Sequence, residues 1–178
     1  MSRRAVFFDR DGVVNLTPGP GYVLRWEDFH FSPGLVEALA LCRARGYATV
    51  LATSQQGVGK KLMSQADLDL IHKNMQQHLR DYGAEFDGIY ACTCLKTEPD
   101  CTCRKPSPEM ILRAAADLDL DVNQSLLVGD ADRDIEMGTN AGVPVTIRIE
   151  SENAHHVKAT HTLPDTTGLA ELLARLLD

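Results

Sequence analysis

The sequence predicts an α/β fold of three layers, in which helices cover both faces of a mainly parallel sheet. Two observations predict it. Short apolar runs, too short and too β-branched or aromatic for helices, alternate with amphipathic stretches along the whole chain. Residues suited to polar chemistry then follow directly after those runs, as they do where the carboxyl ends of parallel strands form a ligand crevice.

Taken in order, strands are expected at residues 5–8, 48–52, 88–91, 126–128 and 145–149. Leu35, Leu39 and Cys42 line one face of a first helix, with Cys42 as a core thiol. Leu68, Ile71, Met75, Leu79 and Tyr82 line a second, and Ser64 with Asp67 has the form of a capping box at its start. Ser107 and Pro108 place a cap and a first-turn proline before Ile111, Leu112 and Ala115. A further helix runs over 131–141 to the stop at Gly142 and Pro144, and a last one from about 168 to 177. Strand and helix alternation of this kind implies parallel strands with right-handed crossovers. The least regular stretches are 17–31, the cysteine segment and 150–164. With no internal repeat, low-complexity tract or linker, residues 1–178 are expected to form a single domain, carrying a loop at about 92–103.

Charge and hydropathy narrow the function. A net charge of −7 opposes nonspecific binding to nucleic acid or an anionic membrane, so any phosphate must be met by a few local cations. No stretch approaches the ~18 apolar residues of a membrane span. The N-terminus reaches Asp9 before a signal-peptide core could form. A cytoplasmic protein without nucleic-acid or membrane partners is expected.

Asp9 and Asp11 follow the first predicted strand, Thr53 the second, a cysteine loop ending in "CRKP" the third, and "GDADRD" the fourth. Any one of these can be a helix cap or a loop residue. Together they bring Asp9, Asp11, Thr53, Lys105, Asp130 and Asp134 to one crevice. The cysteine loop is a second signal: Cys92 with Cys94 and Cys101 with Cys103 form two C-x-C pairs six residues apart, enough to close four thiolates into one tetrahedral site. Zinc in a structural role is the expected occupant, with iron in the same shell or two disulfides as alternatives. Other patterns fail. "QQGVGKKL" lacks the P-loop spacing, His72 and His78 lie six apart and cannot chelate from one helix face, and His155, His156 and His161 read as surface residues. Arg10 and Arg133 lie within motifs and allow either a substrate contact or a solvated or salt-bridged role.

"DRDGV" at 9–13, Thr53, Lys105 and "GDADRD" at 129–134 stand in the order of the four motifs of the haloacid-dehalogenase (HAD) superfamily, which the chain resembles over residues 4–149. "DRDGVVN", "GYV", "FHFSPG", "GYATVLATSQQG" and "CRKP" resemble a narrower capless branch, that of the D-glycero-D-manno-heptose 1,7-bisphosphate 7-phosphatases and the histidinol-phosphate phosphatases. The resemblance implies a Rossmann-like, HAD-like sheet, no cap domain and a zinc-binding loop. It implies Asp9 as nucleophile, Asp11 as general acid and base, and Thr53 and Lys105 as holders of the transferring phosphoryl group. It assigns Mg²⁺ to the carboxylates of Asp9 and Asp130 and the backbone carbonyl of Asp11, with Asp134 either behind them or as a weaker metal contact, and it agrees with Zn²⁺ on Cys92, Cys94, Cys101 and Cys103. Ser54, Gln55, Gln56, Arg104 and Lys105 are the implied substrate contacts.

The chain departs from that branch in two places. Its loop reads "TSQQG" where "TNQSG" is usual, and Cys94 stands where histidine is common. The expected substrate is a small phosphorylated molecule, a sugar bisphosphate before all others. "GYV", "FHFSPG" and the guanidinium of Arg104 point to the heptose bisphosphate, while "MSQADL" at 63–68 resembles the histidinol branch. A phosphotransferase using the same aspartyl-phosphate and a noncatalytic zinc-stabilised binding module are the other function classes. The interval at 13–32 and the zinc loop are the available covers for the site, unless a neighbouring subunit closes it; a monomer is the expected state.

Overall fold

Six parallel strands form one sheet in the order β3-β2-β1-β4-β5-β6. They are β1 Ala5–Phe8, β2 Ala48–Ser54, β3 Gly88–Cys92, β4 Leu126–Gly129, β5 Val145–Ile149 and β6 His161–Leu163. The computed structural model describes residues 2–153 and 155–178. Helices α1 Leu35–Ala44, α2 Gln56–Gly59 (a single turn), α3 Gln65–Arg80, α4 Glu109–Leu118, α5 Asp132–Ala141 and α6 Leu169–Leu176 connect and cover the strands.

The pleat of β1 explains the layering. Val6 and Phe8 point to one face, where Leu35, Leu39 and Cys42 of α1, Leu68, Ile71 and Met75 of α3, and Leu169 and Leu173 of α6 pack on them. Ala5 and Phe7 point to the other, against Met110 and Ile111 of α4 and Ile135 and Met137 of α5. Both faces of β1 are therefore closed to water, and its four residues are all buried. The expected α/β/α sandwich is what forms, and the chain has no cap domain among its described residues.

Several boundaries differ from expectation. Tyr82 lies beyond the end of α3 and is exposed, because the helix ends at Arg80 and the chain turns at Gly83. β6 is an additional edge strand: three residues, two of them polar, carry no apolar run to reveal them, and their pairing with Ile147–Ile149 is what makes them a strand. The Ser64–Asp67 capping box forms as read, with Ser64 Oγ accepting from the Asp67 amide at 3.0 Å and Asp67 accepting from the Ser64 amide at 2.8 Å. No described helix is long and apolar enough to cross a membrane.

Candidate active site

The carboxyl ends of β1, β2 and β4 sit side by side, and each carries a polar side chain expected at the site: Asp9, Thr53 and Asp130. After β1 the chain turns sharply: the Arg10 carbonyl accepts from the amides of Val13, Val14 and Asn15. Gly12 takes φ +88° inside this turn, and a Cβ there would collide with Asp130 Oδ2, so glycine is required for conformation and for space. Asp9 and Asp130 are thereby brought together from two strands.

Asp9, Asp130 and Asp134 place carboxylate oxygens within 4.8 Å of one another, and all three are buried. One ammonium answers them. Lys105, from the loop after β3, donates to Asp9 Oδ1 and to Asp134 Oδ1, each at 2.7 Å. Burial and the neighbouring Asp134 push the Asp9 carboxyl up to about 6, and burial with the charge of Asp9 pushes Asp130 up to about 8. Asp134 goes the other way. Burial would raise it, but the charge and hydrogen bond of Lys105 hold it below the usual carboxylate range. Burial likewise works against the Lys105 ammonium, and the charges of Asp134 and Asp9 outweigh it and raise its pKa. Both Asp134 oxygens are engaged, Oδ1 by Lys105 and Oδ2 by the amides of Asp130 and Ala131 at 3.2 and 3.0 Å. Three buried carboxylates thus share one ammonium, and this oxygen donor set, short of positive charge, suits a hard divalent cation such as magnesium.

Asp11 lies outside this cluster and is held by three donors. Arg10 Nη2 and Asn15 Nδ2 donate to Oδ1 at 3.1 and 2.9 Å, and Gln55 Nε2 donates to Oδ2 at 3.0 Å. Gln55 Nε2 also lies 2.9 Å from the buried Thr53 Oγ1. Gln55 is itself buried, and its amide nitrogen is engaged by Asp11 and Thr53.

Ser54, Gln56, Arg104 and Lys105 share a recess of about 170 Å³ with Tyr22 and Arg133. The Gln56 amide, with its oxygen facing the guanidinium, accepts from Arg104 Nη2 at 3.2 Å and from Nη1. Arg133 thus joins the cationic recess, whereas Arg10 is wholly buried and touches Asp11 and His72.

The loop after β3 is tied down at its far end. Ser107 Oγ donates to the Thr102 carbonyl at 2.6 Å, and Asn140 of α5 donates to the Pro106 carbonyl at 3.0 Å. The sulfurs of Cys92, Cys94, Cys101 and Cys103 all lie within 4.8 Å of one another. Cys92 is in bonding contact with Cys103 and Cys94 with Cys101, while Cys92–Cys101 and Cys94–Cys103 stand 3.7 Å apart and Cys101–Cys103 3.8 Å. The latter spacings match the edge of a tetrahedron around a zinc ion ~2.3 Å from each sulfur, so the four cysteines form one cluster that suits zinc.

Three supports of the site escaped the sequence reading. Arg148 of β5 is buried, donating to Asp132 Oδ1 at 2.6 Å, the Val157 carbonyl at 2.7 Å and the Asp130 carbonyl at 3.4 Å, which binds the turn after β4 to the chain beyond β5. Asn153 Nδ2 lies 3.2 Å from Asp130 Oδ2. His72 of α3 accepts from Arg10 and is buried; its one signal was its place in the apolar stripe Leu68, His72, Met75, Leu79.

Comparison with known proteins bears on this arrangement. Residues 102–167 match the family model described as HAD-hydrolase-like. The chain is 39% identical over 166 residues to a D-glycero-alpha-D-manno-heptose-1,7-bisphosphate 7-phosphatase of Burkholderia mallei, covering 88% of this chain and 85% of that protein. It is 36% identical over 143 residues to a D-glycero-beta-D-manno-heptose-1,7-bisphosphate 7-phosphatase of Helicobacter pylori, covering 80% and 81%. Among solved structures, a D,D-heptose 1,7-bisphosphate phosphatase from B. bronchiseptica, crystallised with magnesium and phosphate, superposes with a TM-score of 0.87 at 29% identity, over 97% of this chain and 98% of that one.

Proposed function

Because the chain belongs to the heptose-1,7-bisphosphate 7-phosphatase family of HAD-like hydrolases and is a phosphoric monoester hydrolase, we propose that it removes the 7-phosphate of D-glycero-D-manno-heptose 1,7-bisphosphate through a phosphorylated Asp9. The observation that carries this is the meeting of Asp9, Asp130, Asp134 and Lys105 in one buried cluster beside Asp11.

In the first step a carboxylate oxygen of Asp9 forms a bond to phosphorus while the bond from phosphorus to the ester oxygen breaks. That oxygen keeps the electron pair and takes a proton from Asp11. Asp11 then takes a proton from the water whose oxygen bonds to phosphorus as the bond from phosphorus to the Asp9 oxygen breaks, which returns the Asp9 carboxylate and releases inorganic phosphate. Lys105 and the Thr53 hydroxyl hold the phosphoryl oxygens, where positioned charge matters most. A magnesium ion held by Asp9, Asp130 and the Asp11 carbonyl would supply neutralisation of the phosphate dianion. Asp134 keeps Lys105 and the Asp130 backbone in place.

Arg104 and Arg133 in the recess beside Lys105 support a second anionic group on the substrate, which a sugar bisphosphate has and histidinol phosphate lacks. Zinc on Cys92, Cys94, Cys101 and Cys103 would fix the segment that ends at Arg104, and we place the protein in the cytoplasm, where such thiolates stay reduced. Acid quenching during turnover of phosphate-labelled substrate tests the mechanism. Label should be recovered on the peptide containing Asp9 and be released by hydroxylamine; label on no peptide, in wild type and in Asp11→Asn alike, would contradict it.

A further inference from the structure

Arg10 presents an unusual arrangement: a guanidinium with no exposure to solvent, placed between the first catalytic motif and α3. Its Nη2 donates to Asp11 Oδ1 at 3.1 Å, its Nη1 faces His72 Nε2 at 3.1 Å, its Nε has no partner, and the Phe29 ring lies 5.8 Å away, measured to its centroid. A guanidinium has no acceptor lone pair, so this contact is a hydrogen bond only if His72 Nε2 accepts, which requires the neutral tautomer with its proton on Nδ1. Burial and then the charge of Arg10 push His72 down to about 4, so the ring stays an acceptor across neutral pH.

The consequence falls on Asp11. A carboxyl oxygen has two lone pairs, and both of those on Oδ1 are taken, one by Arg10 and one by Asn15. Oδ2 accepts from Gln55 alone. When Asp11 is the neutral acid, its proton therefore sits on Oδ2. We infer that His72 is a positioning residue for leaving-group protonation: by holding Arg10 on Asp11 Oδ1, it confines the transferable proton to Asp11 Oδ2. His72 touches neither substrate nor phosphoryl group in this account. The inference rests on the proposed role of Asp11 as general acid.

Leaving-group dependence tests it. Protonation matters for an alkoxide leaving group and hardly for p-nitrophenolate, and kcat/KM reports the step in which that group departs. His72→Phe removes the acceptor, and His72→Gln restores one where Nε2 stood. His72→Phe should lower kcat/KM on the heptose bisphosphate at least about tenfold, through kcat with KM little changed, while p-nitrophenyl phosphate loses less than about threefold. His72→Gln should recover most of the loss. Equal losses on both substrates, no loss, or His72→Gln no better than His72→Phe would overturn the inference. So would failure of both His72→Phe and His72→Leu to fold, which would assign the residue to the core. Asp11→Asn separates the two layers of the argument: if it loses activity equally on both substrates, the general-acid reading itself fails. If it discriminates and His72→Phe does not, only the role of His72 fails.

Discussion

The Lys105 ammonium reaches Asp134 Oδ1 at 2.7 Å with both side chains about 1% exposed, so this ion pair is assembled out of water. Its partner on the other side is Asp9, at the same distance. A single lysine thereby links Asp9, the proposed nucleophile, to the carboxylate that also holds the Asp130 and Ala131 amides.

Removing Asp134 should therefore be felt in stability. Asp134→Ala leaves a buried cation with one partner fewer and two buried amides unpaired, and breaking a buried pair on one side costs about 3–5 kcal/mol. Urea unfolding of wild type and variant measures it; a loss under about 1 kcal/mol would show that Lys105 has another acceptor to turn to.

The first-motif aspartates should not be equivalent. Asp9→Asn should abolish turnover, whereas Asp11→Asn should retain a trace, since general acid and base assistance is worth ~10²–10⁴-fold. Steady-state rates on protein purified free of wild-type enzyme decide it. An Asp9→Asn variant more active than Asp11→Asn would reverse the assignment of roles.

The unequal legibility of the fold and site has physical causes. β1, β2 and β4 were readable because strands buried on both faces are continuous apolar runs, and the residues at their carboxyl ends converge whatever the details of packing. β6 was not, because an edge strand of three residues owes its conformation to Ile147, Arg148 and Ile149 beside it. The salt-bridged role allowed for Arg10 forms with Asp11, but its burial, the part played by His72 and the whole of Arg148 were not legible, for a common reason. Charged and polar side chains are mostly exposed, and only tertiary structure supplies the acceptors that let Arg10 and Arg148 be buried. Gln55 shows the same limit: the motif places it at the crevice, and only the fold reveals that its amide nitrogen bonds Asp11 and Thr53 there.

His72 gives stability a pH dependence. Its pKa falls from 6.5 to about 4 on folding, so between those values the unfolded chain binds the extra proton. The contribution is fully present above about pH 6.5 and is lost as pH falls toward 4, amounting to about 3 kcal/mol. Denaturant unfolding of wild type and His72→Gln should show their stability difference shrinking in wild type's disfavour over that interval. A difference constant with pH would contradict a neutral buried imidazole.

The cysteine cluster should hold about one zinc per chain, retained through brief chelation that strips magnesium, and Cys92→Ser should lose it. Elemental analysis and thiol titration of the native protein check this. Zinc-free protein with no reactive thiol among the four would identify two disulfides, and zinc-free protein with four reactive thiols would leave the loop without a metal.

The most direct test compares kcat/KM for the heptose 1,7-bisphosphate and for histidinol phosphate on the same magnesium-loaded preparation, with the position of the lost phosphate read by phosphorus NMR. The bisphosphate should be preferred at least about tenfold and should lose its 7-phosphate. A higher kcat/KM for histidinol phosphate, or release of the 1-phosphate, would contradict this.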